Sequence, residues 1–230
     1  QLDPTLERLK EVMFQTQKNN IILTGQVDYN QHERDYLGVS EIGNECTRQL
    51  WYNFRKCTDD SFDTDTILRF HDGYIQEEVM ALRLNMIPEI TLLTANDEGK
   101  QFGFDRINGH LGGHIDGVIN GLLQAPATWH IWEHKSVGEA SFKKIKKLKS
   151  TYEENDILKA WNIVYYAQAQ VYMLMTDLQR HYLTCTTPGG RAFTSIRTKF
   201  NRKDAEKYVK KAEYIINHPT PPSNRVSTNE

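Results

Sequence analysis

Two strand-like segments on either side of a loop constrain the fold more than any other part of this 230-residue chain. The segments are Gly113 to Ile119 and Trp129 to Lys135. Because side chains alternate between the two faces of a strand, Glu133 and Lys135 share one face of the second segment. If the segments pair, Asp116 of the first approaches Glu133. The sequence therefore predicts a sheet that holds two carboxylates and a lysine side by side.

The paired carboxylates indicate a site for a hard divalent cation. Asp116 and Glu133, with the backbone carbonyl of His134 and several waters, offer the oxygen ligands that Mg²⁺ or Mn²⁺ prefers. Such a site lowers the pKa of a bound water, and Lys135 can orient or deprotonate that water or stabilise developing charge. A metal site with a neighbouring lysine favours phosphodiester hydrolysis as the reaction. The alternative is a solvated strand face, because an Asp followed by Glu-x-Lys is frequent by chance.

Length and composition are those of an ordinary globular protein. Hydrophobic residues make up 39% of the chain and charged residues 25%. We expect a single domain over residues 1–218, with its core at about 61–200, and a Pro-rich tail at 219–230. No apolar run approaches the roughly 20 residues that span a bilayer, and the first residues lack a secretory signal. We therefore expect no membrane segment and a cytoplasmic location, or the host cytoplasm if a phage encodes the chain.

The cysteines and the net charge bear on other classes of protein. Cys46, Cys57 and Cys185 are far apart, which argues against a disulfide framework and against a zinc ribbon. The net charge of −2 is no general signal for nucleic acid. Local basic stretches can nevertheless bind phosphate where the net charge does not.

Helical periodicity predicts three helices before residue 90. The first runs from Asp3 to about Asn20. The second has Ser40 as its N-cap and carries Cys46 on its apolar stripe. The third covers Ser61 to about Asn85.

Glu77 interrupts the apolar stripe of the third helix. An ionised carboxylate that is buried without a partner is costly. Glu77 therefore lies at the margin of the stripe, pairs with a cation, or binds the same metal as Asp116 and Glu133, and we favour the metal. Gly73, one turn earlier, weakens the helix and indicates that another backbone or a ligand passes close to it.

The rest of the chain alternates strands and helices. The predicted elements are a meander of strands from Ile90, a helix at about Asp156–Met175, strands near His181–Thr186 and Phe193–Lys199, and a last helix capped by Asn201. The first of these helices is apolar nearly all round, which is typical of a helix in the middle of a domain. On it, Gln168 and Tyr172 lie one turn apart, and a buried amide must find hydrogen-bond partners.

Five motifs occur in an order that resembles a known superfamily. They are Ser40–Tyr52 (SEIGNECTRQLWY), Gly73-x-x-x-Glu77, Asp116, Glu133-x-Lys135 and Gln168-x-x-x-Tyr172. The last four together resemble the RecB-type branch of the PD-(D/E)xK nuclease superfamily. The first is similar to the N-terminal motif of CRISPR-associated adaptation nucleases and of phage exonucleases related to them. The resemblance spans about residues 40–172.

The resemblance implies a fold and a role for each matched residue. The implied fold is α/β, a restriction-endonuclease-like core in which a central mixed β-sheet is flanked by helices. The implied roles are metal ligand for Glu77, Asp116 and Glu133, catalytic lysine for Lys135, and positioning of substrate and lysine for Gln168 and Tyr172.

Two features depart from the pattern of the superfamily. Ile115 stands where many relatives have a proline before the aspartate, which is a common departure. Relatives with a four-cysteine iron–sulfur cluster carry one cysteine where Cys46 stands and three more near the C-terminus, and this chain has none after Cys185. We therefore expect Mg²⁺ or Mn²⁺ as the cofactor and no iron–sulfur cluster.

The expected function is metal-dependent DNA hydrolysis, with exonucleolytic processing of DNA ends in recombination, repair or phage DNA metabolism. The alternatives are an endonuclease of the same fold and a catalytically silent subunit that binds DNA ends. The expected partners are single- or double-stranded DNA ends and a recombination protein or further copies of the chain. The residues expected to contact DNA phosphates are Arg48, Lys143, Lys144, Lys146 and Lys147, for which a solvated face is the alternative.

Overall fold

The computed structural model describes residues 34–57 and 63–223. Its elements in chain order are β1 (Leu37–Gly38), a 3₁₀ turn (Val39–Glu41), α1 (Thr47–Phe54), α2 (Thr64–Leu84), β2 (Thr91–Leu93), β3 (Gly103–Arg106), β4 (Leu111–His114), β5 (Gly117–Asn120), β6 (His130–Ser136), α3 (Glu139–Lys149), α4 (Glu154–Trp161), α5 (Ile163–Thr176), β7 (Arg180–Thr186), a 3₁₀ turn (Pro188–Gly190), β8 (Phe193–Lys199) and α6 (Arg202–Asn217). The predicted helix at Asp3–Asn20 lies outside the described residues.

A five-stranded mixed sheet forms the centre of the described structure. Its strand order is β2-β5-β6-β7-β8. Only the pair β6 and β7 is parallel, with Glu133 opposite Leu183, and the other pairs are antiparallel. A parallel pair needs a crossover connection, which α3, α4 and α5 provide. The predicted α/β fold with a central mixed sheet is confirmed.

A second sheet, which the sequence pattern does not predict, contains three short strands in the order β1-β4-β3. The predicted strand from Gly113 to Ile119 is divided between the two sheets, because β4 ends at His114 and β5 begins at Gly117. The prediction of one continuous strand is therefore wrong. Asp116 lies at the bend where the chain passes from one sheet to the other.

The two faces of the central sheet bury separate apolar clusters. On one face, Met80 and Leu84 of α2 pack with Trp132 of β6. On the other face, Ile131 of β6 and Leu183 of β7 pack with residues of α3 to α6. Burial on both faces places β6 in the interior of the structure.

The predicted helix at Asp156–Met175 is in fact two helices. Asn162 has φ −150° and ψ 106°, and its side-chain oxygen accepts the backbone N–H groups of Val164 and Tyr165. An asparagine side chain that bonds the backbone in this way competes with the helical hydrogen bond and begins a new helix. The apolar pattern on both sides of Asn162 conceals this break.

The second predicted helix begins later than expected. Residues Val39–Glu41 form a 3₁₀ turn, and α1 begins at Thr47 with Cys46, rather than Ser40, as its N-cap. The loop between them packs closely on α5: a Cβ at Gly43 would lie 2.4 Å from the Cα of Val164. This contact requires a glycine and prevents the helix from starting at Ser40.

Other predicted elements agree with the structure. Helix α2 begins after Asp63, which caps it by accepting the N–H of Thr66 at 2.8 Å. Strands β7 and β8 form where predicted, and Asn201 caps α6. No helix in residues 34–57 and 63–223 is long and apolar enough to cross a membrane.

Candidate active site

Glu133 and Lys135 lie next to each other on the face of β6 that α5 covers. Lys135 Nζ donates to Glu133 Oε1 at 2.6 Å, and Gln168 Nε2 of α5 donates to the same oxygen at 3.0 Å. Glu133 is only 3% exposed. Two donors on one oxygen hold the carboxylate in a single orientation.

Asp116 reaches the same place from the bend between the two sheets. Its Oδ2 accepts the backbone N–H of His134 at 2.8 Å. The pairing of β5 with β6 ends at Gly117 and Trp132, so His134 lies beyond the ladder. In an extended strand the N–H and C=O of one residue point to the same side, so the His134 carbonyl points to the side on which Asp116 lies.

The carboxylates of this site resist ionisation. Burial, together with the negative charge of Asp116, raises the pKa of Glu133 to about 7. The same two causes raise the pKa of Glu77 to about 8. Burial also raises the pKa of Asp116, against the lowering effects of Lys135 and the His134 N–H.

Lys135 is the counter-charge of the group. Burial lowers the pKa of Lys135, but Glu133 and Asp116 outweigh it and raise that pKa above its ordinary value. The lysine is therefore cationic at neutral pH. Three ionised carboxylates around one ammonium have a net charge of −2, which one divalent cation would neutralise.

The oxygen atoms present fit a divalent metal ion. Glu133 Oε2 is buried and has no hydrogen-bond partner, so it is available as a ligand. Asp116 and the His134 carbonyl supply further oxygens, which are the donors that Mg²⁺ prefers. Within residues 34–57 and 63–223, no three His, Cys, Asp or Glu side chains lie close enough to hold a metal ion by themselves. Glu77 interacts with Asp116 through its charge without completing such a group.

Tyr172 of α5 closes the side of the site next to β4. It is 2% exposed, and burial followed by the charge of Glu133 raises the pKa of its hydroxyl. A Cβ at Gly113 would lie 2.6 Å from the Tyr172 hydroxyl oxygen. The glycine of β4 therefore makes room for the tyrosine.

Tyr165 also belongs to the site, although the predicted site residues do not include it. Lys135 Nζ lies 5.7 Å from the centroid of the Tyr165 ring, a cation–π contact. Tyr165 lies one turn before Gln168 on the same helical stripe. That spacing is the sequence signal for it.

The opposite face of β6 is held by a buried polar network. Trp132 Nε1 donates to Thr184 Oγ1 at 3.0 Å, and His134 Nδ1 and Nε2 lie 2.9 and 3.1 Å from the hydroxyls of Thr184 and Thr186. Burial, then the positive charges of Lys135 and Arg83, lower the pKa of His134 to about 4. The neutral imidazole fixes β6 to β7 directly behind the carboxylates.

The basic residues predicted to contact DNA are distributed over two helices. The four lysines predicted for this role on α3 are exposed: Lys143, Lys144, Lys146 and Lys147. Helix α3 begins three residues after β6 ends, and its buried Phe142 and Ile145 anchor it to the core. Arg48 lies partly buried on α1, 5.9 Å from the ring of Tyr52.

The three cysteines are not brought together. Cys46 is half-buried at the start of α1, Cys57 is exposed and Cys185 is buried, and none of the three forms a disulfide. Cys46 Sγ accepts the N–H of Gln49.

Comparison with known proteins gives structural likenesses. No protein-family model and no curated protein sequence matches this chain. The crystal structure of an alkaline exonuclease (LHK-Exo) from Laribacter hongkongensis is 12% identical, with a TM-score of 0.54 over 80% of this chain and 87% of that one. The crystal structure of LHK-Exo in complex with dAMP is 11% identical to this chain, with a TM-score of 0.53 over the same shares of the two chains. The crystal structure of a phage-related exonuclease from Haemophilus somnus is 11% identical, with a TM-score of 0.46 over 74% of this chain and 77% of that one. The chain therefore has the α/β fold of the LHK-Exo nuclease, in agreement with its resemblance to the PD-(D/E)xK superfamily.

Proposed function

We propose that this chain is a metal-dependent deoxyribonuclease that hydrolyses DNA from its ends. The observation that carries the proposal is the group of Asp116 and Glu133, both buried, and the half-buried Glu77 around the ammonium of Lys135. Acidic groups buried at this density are costly unless a cation joins them. Perturbed pKa values in one cluster are also typical of functional sites.

The ligands we propose are Asp116, Glu133 and the His134 carbonyl, with Glu77 as a further carboxylate. A divalent ion held there acts as a Lewis acid on phosphate and lowers the pKa of a bound water. The free Oε2 of Glu133 supports this assignment, because its other oxygen is occupied by Lys135 and Gln168.

We assign Lys135 to charge stabilisation and to orientation of the attacking water. Its raised pKa keeps it protonated in the metal-free protein, which makes it a poor general base there. An ammonium next to the scissile phosphate offsets the negative charge that develops in the transition state. Gln168 maintains the Glu133 orientation, and Tyr172 closes the site beside it.

The proposal that DNA ends are the substrate rests on two supports. The similar LHK-Exo structures are those of an alkaline exonuclease, one of them with dAMP. The exposed lysines of α3 lie just beyond the strand that carries Glu133 and Lys135, where they can bind phosphates without regard to base sequence. We propose recombination, repair or phage DNA metabolism as the setting.

The test uses labelled linear DNA and covalently closed circles in Mg²⁺, Mn²⁺ or EDTA. We expect metal-dependent degradation of linear DNA from its ends, with circles spared. Asp116→Asn and Glu133→Gln should abolish cleavage, whereas Asp97→Asn, at an exposed loop position, should retain it. Equal loss of circular and linear DNA would favour an endonuclease. Binding of ends without cleavage in either metal would favour the silent subunit.

A further inference from the structure

A hydrogen-bonded junction lies at the end of β6, immediately after Lys135. Ser136 Oγ donates to Asp72 Oδ2 of α2 at 2.7 Å. The backbone N–H of Gly189, in the turn between β7 and β8, donates to Asp72 Oδ1 at 3.4 Å. One carboxylate therefore joins α2, β6 and the turn after β7.

Helix α2 buries side chains only in its second half. Gln76, Met80 and Leu84 are its buried residues, and their spacing of four places them on the stripe that faces the sheet. Asp72 extends this stripe by one more turn toward the N-terminus. The carboxylate thus attaches to the sheet the first half of α2, whose side chains are half-buried or exposed.

Gly73 weakens helix α2 next to Asp72, so the helix depends more on the hydrogen bonds of Asp72 there. A glycine in a helix interior costs about 1 kcal/mol relative to alanine. A Cβ at Gly73 would have no neighbour within 4 Å among the described atoms, so no other backbone packs there, contrary to one of the two expectations for this position. The helix is therefore intrinsically weak next to Asp72, and one turn before Glu77.

We infer that Asp72 is a positioning residue that, through Ser136, holds Glu77 in place beside Asp116 and Glu133. The inference rests on the proposed function in giving Glu77 a place at the metal site. Both oxygens of Asp72 accept hydrogen bonds from other elements, in contrast to Glu133, whose Oε2 has no such partner. Arg83 supports the same arrangement, since its Nη1 donates to the carbonyl of Gly190 at 3.0 Å and holds the second half of α2 to the turn.

The experiment compares full-length Asp72→Ala, Ser136→Ala and the double variant with Asp97→Ala, which removes an exposed aspartate elsewhere. Amide hydrogen exchange reports opening of residues 64–77, and calorimetry reports Mn²⁺ affinity without any need for cleavage. We expect faster exchange confined to the first half of α2. We also expect affinity to fall roughly tenfold, as when a supporting partner of a metal ligand is removed.

The coupling between residues separates positioning from general destabilisation. If Ser136 acts through Asp72, the double variant should bind Mn²⁺ no more weakly than Asp72→Ala alone. In a Glu77→Gln background, Asp72→Ala should then change Mn²⁺ affinity less than twofold, because the group that it positions is gone.

Unchanged exchange in residues 64–77 of Asp72→Ala would overturn the inference. So would an affinity loss of equal size with and without Glu77. If the wild-type chain binds Mn²⁺ but cuts no DNA, the proposed function fails while both tests of Asp72 still apply. If it binds no Mn²⁺, the exchange measurement alone decides whether Asp72 holds this half of the helix.

Discussion

The metal-free protein should lose stability as the pH rises above 6.5, because protons leave its buried carboxylates. Glu77 and Glu133 have pKa values of about 8 and about 7 in the folded chain, against 4.5 as their ordinary value. In the unfolded chain both are ionised at neutral pH. The folded state therefore binds more protons than the unfolded state, and a rise in pH favours unfolding.

The size of the effect follows from the Glu77 shift. Each pH unit across which one proton differs between the states corresponds to about 1.4 kcal/mol. From pH 6.5 to about 8, Glu77 thus accounts for about 2 kcal/mol of unfolding free energy at most, and solvent screening of this partly exposed side chain reduces it. Glu133 adds a smaller amount in the same direction, because its pKa is about 7.

Buried histidines have the opposite effect at lower pH. Burial is the main cause that lowers the pKa of His134 to about 4 and that of His181 to about 3, from 6.5. Stability due to these neutral rings is present above pH 6.5 and is lost as the pH falls toward the folded values. Because an unfolded histidine is half protonated at pH 6.5, this effect fades over about one further pH unit, and the comparison with Glu77→Gln isolates the Glu77 contribution.

Urea unfolding in EDTA at several pH values in this interval measures the effect. Wild-type unfolding free energy should fall with pH, and the fall should be much smaller in Glu77→Gln. In the control Glu213→Gln, at an exposed position on α6, the unfolding free energy should fall with pH as it does in the wild type. Saturating Mg²⁺ at pH 8 should restore the lost stability, since it binds only the folded site. A flat wild-type profile, or an unchanged slope in Glu77→Gln, would refute the reasoning.

Three substitutions test other parts of the structure. Gln168→Leu removes a donor to Glu133 and should lower cleavage about 10- to 100-fold with the fold retained, which kinetics and circular dichroism would measure. Asn162→Ala removes the cap between α4 and α5 and should cost about 1 kcal/mol in urea unfolding, and no loss would contradict the capping role. Gly113→Ala should cost about 1–3 kcal/mol because its Cβ meets the Tyr172 hydroxyl, and Tyr172→Phe in the same chain should recover part of that loss.

Elements with strong local periodicity could be predicted from the sequence. The helix expected at Ser61–Asn85 is found at Thr64–Leu84, and the strands and last helix after residue 180 also form. These elements have clear caps and bury one regular stripe or face. Their local preferences and their tertiary packing agree, so periodicity is sufficient.

The wrong helix boundaries occur where a tertiary contact or a single side chain overrides the periodic spacing of apolar residues. Ser40 is an acceptable N-cap, yet the chain after it must bring the Gly43 backbone against Val164, and the helix begins only after Cys46. Asn162 divides a stretch that is apolar on both sides. Neither effect changes the spacing of apolar residues, which is what the pattern measures.

Asp116 shows why a correct expectation of proximity can accompany a wrong strand. Continuing the register from Gly117 opposite Trp132 places Asp116 opposite Glu133, as the alternation indicates. The ladder nevertheless opens there, because the N–H of Ile115 donates to the Phe102 carbonyl and the Ile115 carbonyl accepts from the Gln101 side chain, both at 3.1 Å.

This opening leaves the His134 backbone available to the proposed metal site. In a continued ladder, the N–H and C=O of His134 would pair with Ile115 on the neighbouring strand. Because the Ile115 backbone is hydrogen-bonded to Phe102 and Gln101, the His134 N–H donates to Asp116 instead. The His134 carbonyl remains available on the same side of β6. The partners of Ile115 belong to the approach to β3, more than ten residues earlier in the chain. Residue spacing around Asp116 and Glu133 carries no information about them, so the sequence predicts which carboxylates meet but not the gap in the sheet where they meet.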